Sequence, residues 1–465
     1  MRPLRMVVRA RSIAAGLTIV AAAELGAPTS PVAAAERPNV LIVMTDQEAP
    51  GLRLPPLERP NFERLAARGV SFTRAYAAYP VCSPSRAALL TGLYPHQNGV
   101  LENVNPGVES PPLDPAIPNL GSVFAAAGWT TAWFGKWHLS ASEAIPHYGF
   151  AHAYQPPRGN NGREGDPQVA AHAAAWIRER PAGEPWLAVV SILNPHDIGE
   201  PERYADVEIE PYPVELPASF DDDPTAAGRA PELRAHAGSR RENRTPTDHA
   251  GWIRYLRLYC HLLERNDPLL GSVLDAVAAR ADAERTIVVY TSDHGEMGGA
   301  HRMAQKRFLY EESVRVPLLF VASGVGEATT SERLASNVDL VPTLAALAGV
   351  KWPTPLPGRN LLEPPAAGAD ADADEAVFAE VSIPSTRVLA ERRLTRMVRT
   401  RDWKYVLYPS GAEELYDTAT DPSEVHNLAA SPEHAARRAA MRDRLSAWLA
   451  ATATTTVPRP AAGVR

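Results

Sequence analysis

Five short apolar runs recur along the chain: NVLIVM from Asn39, TTAWF from Thr130, WLAVVSI from Trp186, TIVVY from Thr286 and RVPLLFV from Arg315. Each is too short for a typical helix and rich in β-branched or aromatic residues, so each predicts a strand covered on both faces. Between them the polar positions take a helical period, in RPNFERLAARGV, IPNLGSVFAAAGW and the long WIRYLRLYCHLLERNDPLLGSVLDAV. NVDLVPTLAALAGV reads as another helix, closed by Gly349. Such alternation predicts an α/β fold, a large, mostly parallel sheet sandwiched by helices.

The pattern breaks in three places. Over 199–249 the chain turns rich in proline, acid and arginine without a period, which predicts a long surface excursion. EPPAAGADADADE, at 363–375, is an acidic low-complexity linker. After it FAEVS, TRMVRTRDWKYVLYP and a terminal helix from 432 to 450 predict a small C-terminal α+β subdomain over 376–450, with 451–465 as a flexible tail. The first 35 residues stand apart: MRPLRMVVRAR carries four arginines, SIAAGLTIVAAA is a short apolar run, and small residues precede Glu36. That is the layout of a secretory signal peptide cut after Ala35. A membrane anchor would need roughly 20 apolar residues. The expected organisation is a leader at 1–35, a main domain at 36–362, the linker, the subdomain and the tail. The mature chain is expected to be exported, periplasmic or secreted, with no stable membrane span.

Composition narrows the partners. The formal charge is −7, and loss of the leader would remove four arginines and Glu24 and take it to −10. A net-negative chain is expected to bind no nucleic acid, and an anionic substrate needs a local cationic pocket. Of 465 residues only two are cysteine. An exported protein could join Cys82 to Cys260, although such proteins usually carry several disulfides. Cys260 falls on the apolar side of its helix with Leu256 and Leu263 and reads as a core thiol.

The polar residues that follow the strands carry the chemistry. Asp46 follows the first run, Lys136 and His138 the second, His196 the third, and Asp293 with His294 the fourth. Ligands of open parallel sheets bind beyond the carboxyl ends of the strands. Any one of these residues could be a helix cap or a structural hydrogen-bonder; their joint placement at one edge is what points to a site. Asp46, Gln47, Asp293 and His294 offer mostly oxygen ligands, which suit Ca²⁺, Mg²⁺ or Mn²⁺, while the imidazole leaves Mn²⁺ or Zn²⁺ open. In PVCSPSR, Ser83 and Pro84 read as an N-cap and first helical position, so Cys82 stands at a helix N-terminus with Arg86 one turn along. A thiolate or a bound oxyanion would be stabilised there.

Cys82-Ser83-Pro84-Ser85-Arg86 followed by Leu90-Thr91-Gly92 resembles the C-x-P-x-R signature of type I sulfatases, the formylglycine-dependent branch of the alkaline-phosphatase-like superfamily. GWTTAWFGKWHL resembles their second signature. The likeness continues through NVLIVMTDQ, NPHD, TSDHGEMGGAHRMAQK and ELYDTATDPSEVHNLA. It implies an alkaline-phosphatase-like fold and an enzyme that hydrolyses a sulfate ester of a carbohydrate or small alcohol. It further implies that a separate formylglycine-generating maturation enzyme oxidises Cys82. One hydroxyl of the hydrated aldehyde would attack sulfur, and the other would then expel sulfate. The resemblance assigns Arg86 to holding the Cys82 segment, Lys136 and Lys306 to gripping sulfate, and His138 to the base. His196, with Lys306, would protonate the leaving oxygen. Asp46, Asp293, His294 and modified Cys82 would ligate one divalent metal, by resemblance Ca²⁺.

Gln47 stands where many sulfatases carry a second acid. Choline sulfatases and phosphonate monoester hydrolases resemble this chain in that Asp-Gln pair and in the later Asp-His. Gln47 can be a metal ligand through its carbonyl or a hydrogen-bonder behind the ligands, and phosphonate or phosphate diester hydrolysis stays open as a second activity. A sulfated-glycan binding protein with unconverted Cys82 is the non-enzymatic alternative. His301 and Arg302 are candidates for substrate contact or an ordinary loop, and Arg240, Arg241 and Arg244 for a sulfated polymer or a plain charged loop. Trp403 and Tyr405 are expected to pack the small sheet, and Asp267 and Gly271 to serve packing.

Overall fold

The computed structural model describes residues 37–105, 110–157, 161–237, 246–326, 328–364, 375–383 and 394–453. The expected leader, most of the acidic linker, the tail from 454 and the arginines at 240, 241 and 244 lie outside the described residues. Nine strands build one large sheet: β1 Asn39–Asp46, β2 Val70–Tyr76, β3 Thr130–Gly135, β4 His152–Tyr154, β5 Trp186–Pro195, β6 Thr286–Ser292, β7 Arg315–Val316, β8 Leu318–Val321 and β9 Thr329–Ser336. Their order is β4-β3-β5-β1-β6-β8-β2-β7, with β9 also on β2. From β4 to β6 all neighbours are parallel; β8 runs antiparallel to β6 and to β2.

Period-two alternation divides the central strands between two cores. Val40, Ile42 and Met44 of β1, with Leu187 and Val189 of β5, join Leu89, Leu90, Phe124 and Leu344 on one face. Leu41 and Val43, with Ala188 and Val190, meet Val169, Ala173 and Ile177 of the Gly162–Glu179 helix and Leu270 and Val273 of the His249–Ala278 helix on the other. These strands are continuously apolar because both faces are dry.

The structure departs from the reading at the sheet's far side and at one helix cap. RVPLLFV, expected as one strand, is split at Pro317 into β7 and β8, since proline has no N–H to give a ladder. Strands β2, β4 and β9 carry too many polar or exposed residues to stand out. The helix with the cysteine runs Cys82–Thr91, with Val81 as its cap in place of Ser83. The Ser83 hydroxyl donates instead to the His138 carbonyl at 2.5 Å. All ten residues of that helix are buried, and it stops at Gly92, whose φ of 67° is the left-handed C-cap conformation that glycine adopts without strain. The expected helix at Gly349 ends the same way, at φ 66°. A short helix, His196–Gly199, leads into the expected excursion, and two more form among its described residues, Pro201–Tyr204 and Pro231–Ala237.

Beyond the linker, β10 Val377–Ser382, β11 Leu394–Arg399, β12 Trp403–Leu407 and β13 Glu413–Asp417 form an antiparallel sheet in chain order. Tyr405, Val398 and Leu415 pack against Met441, Leu445 and Trp448 of the Ala435–Ala453 helix, with Trp403 at their edge. That helix reaches three residues into the stretch expected as tail, because the Thr452 hydroxyl is buried 3.0 Å from His96 Nε2. Asp267 accepts from the Asn61 and Phe62 backbones, and a side chain at Gly271 would strike Asn61, so both positions serve packing. No helix among the described residues is long and apolar enough to cross a membrane. Cys82 and Cys260 are both free thiols, not a disulfide.

Candidate active site

Four strand ends and one helix mouth converge. Asp46 closes β1, Lys136 and His138 leave β3, His196 leaves β5, and Asp293 and His294 leave β6, while Cys82 and Arg86 come from the first turns of their helix. Two of the connecting residues adopt left-handed backbone, Gln47 at φ 78° and His138 at φ 61°. Such conformations cost a non-glycine residue about 1–3 kcal/mol and persist where the surroundings over-determine them. Gln47 is pinned on every side. Its N–H donates to Asp293 Oδ1 at 3.2 Å, its carbonyl accepts from Tyr259 at 2.7 Å, and its side-chain amide donates to Glu296 at 2.5 Å.

Arg86 organises the two acids. Its Nη2 donates to Asp46 Oδ2 and its Nε to Asp293 Oδ2, both at 2.8 Å, and Nη1 bonds Ser191 and the Lys136 carbonyl. Lys136 Nζ adds a second cation on Asp46 Oδ2 at 2.5 Å. The outer oxygen of each carboxylate is therefore occupied, and both Oδ1 atoms turn toward the space beside Cys82. There Cys82 Sγ lies 3.3 Å from His294 Nε2 and 3.8 Å from Asp46 Oδ1, and Lys306 Nζ donates to it at 3.0 Å. Burial alone would push the thiol pKa up; chiefly the Lys136 and Lys306 ammonium groups outweigh it and hold the thiol well below its ordinary value. Burial likewise works to raise Asp46, and Lys136, His196 and Lys306 overcome it and keep Asp46 ionised. Asp293 is pushed up to about 6 by burial and by Asp46 beside it.

One ligand atom from each of Asp46, Cys82, Asp293 and His294 lies within 4.8 Å of the others, all buried. His294 Nδ1 faces the Gly295 carbonyl at 2.9 Å, which keeps the proton there and leaves the Nε2 lone pair for the cluster. Carboxylate oxygens, a sulfur and an oriented imidazole gathered with contacts of 3.3 to 3.8 Å among them make a donor set that a divalent cation fits. Gln47 reaches the same space with Oε1, where it accepts from Lys306 at 2.9 Å.

The histidines flank the sulfur. Burial, Lys136 and Lys306 push His196 down to about 4, so its ring is neutral in the free protein. Burial also lowers His138, whose Nε2 sits 2.9 Å from Asn105 Oδ1. His301 is elsewhere: its Nδ1 bonds Asp222 at 2.6 Å, its ring stacks on Tyr310, and Arg302 donates to the Phe220 carbonyl. Neither reaches Cys82 among the contacts described, and the side-chain contacts both make are to the 199–249 excursion and Tyr310. Several residues that matter were not singled out from sequence. Glu296 and Gln305 hold the Gln47 side chain, Asn103 accepts from the Ser83 N–H at 3.0 Å, and Glu102 receives both Nη groups of Arg307. Glu296 and Gln305 lie within TSDHGEMGGAHRMAQK without a role assigned to them there, and no local pattern marks Asn103 or Glu102, whose partners are far away in the chain.

A sulfatase family profile matches residues 38–350, two thirds of the chain. The chain belongs to the sulfatase family. A second profile, N-sulphoglucosamine sulphohydrolase C-terminal, matches 299–451. An uncharacterized sulfatase of Escherichia coli, YidJ, is 31% identical over 88% of this chain and 86% of its own length. A Δ4,5-hexuronate-2-O-sulfatase of Bacteroides thetaiotaomicron is 30% identical over 86% of each chain. The phosphonate monoester hydrolase of Agrobacterium radiobacter shares the fold, with a TM-score of 0.70 at 24% identity over 90% of this chain and 96% of that one. This sulfatase is thus a sulfuric ester hydrolase with the alkaline-phosphatase-like architecture expected from its motifs.

Proposed function

We propose that this sulfatase, once exported, cleaves a sulfate ester of a carbohydrate through a formylglycine made from Cys82. The observation that carries the reading is the setting of Cys82 Sγ, 3.0 Å from Lys306 and beside three inward-facing metal donors. As the hydrate, formylglycine supplies two hydroxyls on one carbon, one for attack on sulfur and one through which sulfate is expelled. A divalent cation, Ca²⁺ by the family resemblance, would be held by Asp46, Asp293, His294 and residue 82, with Gln47 offering its carbonyl, and would supply charge to activate the attacking hydroxyl. Lys136 and Lys306 bring two ammonium groups to the sulfate oxygens. Sulfate arriving between them offsets the charge that depresses His196, which then delivers a proton to the leaving oxygen. Arg86 keeps both acids aligned. A carbohydrate is favoured because the hexuronate-2-O-sulfatase matches over most of both chains.

The test is mass analysis of the tryptic peptide AYAAYPVCSPSR, 75–86, from the protein made in its native host. Aldehyde in place of thiol is the expected result; thiol alone in an active preparation would sink the mechanism. Paired turnover of an aryl sulfate and a matched phosphodiester separates the sulfatase reading from the diesterase one, and sulfated uronates head the substrate panel.

A further inference from the structure

We infer that Asn105 is a positioning residue that fixes which nitrogen of His138 faces residue 82, and thereby controls the release of sulfate. The inference rests on the formylglycine reading above.

The backbone conformation and two contacts hold His138. Its backbone is left-handed, at φ 61°, and its carbonyl is held by the Ser83 hydroxyl at 2.5 Å. Its Nε2 is turned to Asn105 Oδ1, at 2.9 Å. Its Nδ1 is buried and makes no hydrogen bond of ordinary geometry, and Cys82 is the side chain close enough to the ring to favour a proton on it. With the Asn105 carbonyl accepting, the imidazole proton stays on Nε2 and the Nδ1 lone pair is the atom left to take a proton. The other tautomer would aim an N–H at residue 82 and could accept nothing. In the release step the second hydroxyl gives its proton to His138 Nδ1. The carbon–oxygen bond to sulfate breaks with its electron pair leaving on sulfate, and the carbonyl at residue 82 reforms.

Asn105 is placed for this by bonds that do not involve His138. The segment before it is stitched to the turn that carries the nucleophile: Asn103 Oδ1 accepts from the Ser83 N–H at 3.0 Å, and Val104 N–H donates to the Ser83 hydroxyl at 3.1 Å. On the other side Glu102 pairs with Arg307 through both of its oxygens, at 2.5 and 2.7 Å. Arg307 directly follows Lys306, so one ion pair ties the Asn105 segment to the lysine that touches Cys82. Asn105 itself is exposed. Its carboxamide therefore adds little to the core, and its replacement leaves the fold intact.

The experiment compares Asn105→Ala, Asn105→Asp and His138→Ala in the full-length, converted enzyme with an aryl sulfate. Steady-state kinetics are paired with acid quench and mass analysis of the residue 82 peptide. Asn105→Ala is expected to lower kcat about ten- to a hundredfold, the usual scale for losing the partner that orients a working histidine. KM should not rise, and the quenched peptide should retain a covalent sulfate ester that the wild-type peptide does not. Asn105→Asp keeps an acceptor at the same place and should restore most of kcat, with the penalty of its charge falling on KM. Equal losses in Ala and Asp, a raised KM with kcat intact, or no retained sulfate ester in Asn105→Ala would each overturn the inference. If His138→Ala retains the sulfate ester and Asn105→Ala does not, this inference alone fails. If neither retains it, the formylglycine reading falls with it.

Discussion

Asp46 and Glu311 are both buried carboxylates served by a lysine and an arginine, yet only one of them belongs to a reaction centre. Glu311 Oε1 accepts from Lys404 at 2.8 Å and lies 3.2 Å from Arg399 Nε, and its Oε2 accepts from the Tyr76 hydroxyl at 3.0 Å. Lys404 is in turn shared with Glu424 at 2.6 Å. Burial acts to raise Glu311, and Lys404, Arg399 and Arg315 hold it far below the usual carboxylate range. Both of its oxygens are closed by protein groups, and the cluster rivets the small sheet to β2 of the large one. Asp46 has the same cations on Oδ2 only, while Oδ1 faces a sulfur and an imidazole at 3.8 Å. Charge that the protein satisfies itself is structural. Charge left facing inward, with donors gathered round it, is waiting for a ligand.

Substitutions in the two clusters should therefore separate activity from stability. The largest effect is expected for Cys82→Ala. Turnover of an aryl sulfate should fall on the order of a million-fold, as when a covalent nucleophile is removed, with a thermal midpoint near that of the parent. A large drop in that midpoint would mean that residue 82 belongs to the structural class after all. Next comes Lys404→Met in the closed cluster. Leaving Glu311 and Glu424 short of a buried partner should destabilise the fold by about 3–5 kcal/mol in urea titration, while kcat per folded molecule stays unchanged.

The smallest effect is a pH signature of the closed cluster. Glu312 is pushed up to about 8 by burial and by Glu424, from the 4.5 it would have unfolded. A raised folded pKa gives stability that is present below pH 4.5 and is lost as pH climbs through 8. Glu312→Gln cannot ionise, so its midpoint should exceed the parent's by a few degrees at pH 9 and match it at pH 4. A parallel shift at both pH values would contradict the account of Glu312.

The sequence exposed the open cluster better than the closed one, and the reason is geometric. β1, β3, β5 and β6 are central strands with both faces dry, so they read as unbroken apolar runs, and the reactive residues sit where those runs end. The cysteine motif lies within one helical turn. β2 and β9 carry arginines, serines and threonines on exposed faces, which hides their period. Glu311 draws its partners from β2, β11 and β12, and no spacing rule joins residues that far apart. The roles of Asn105 and Glu296 were hidden for the same reason, although Glu296 lies inside a quoted motif: each is defined by the distant side chain that it holds. The Ser83 cap was misassigned because its hydroxyl had a better use at the His138 carbonyl.

Cys82 is 1% exposed, in a helix whose every residue is buried. No second enzyme can bring its own active site to that sulfur once the helix has docked. On the proposed formylglycine route, conversion of the thiol would therefore compete with folding in time. A chain that folded first would be locked as a thiol protein, and a preparation's specific activity would record how many chains were reached before they closed.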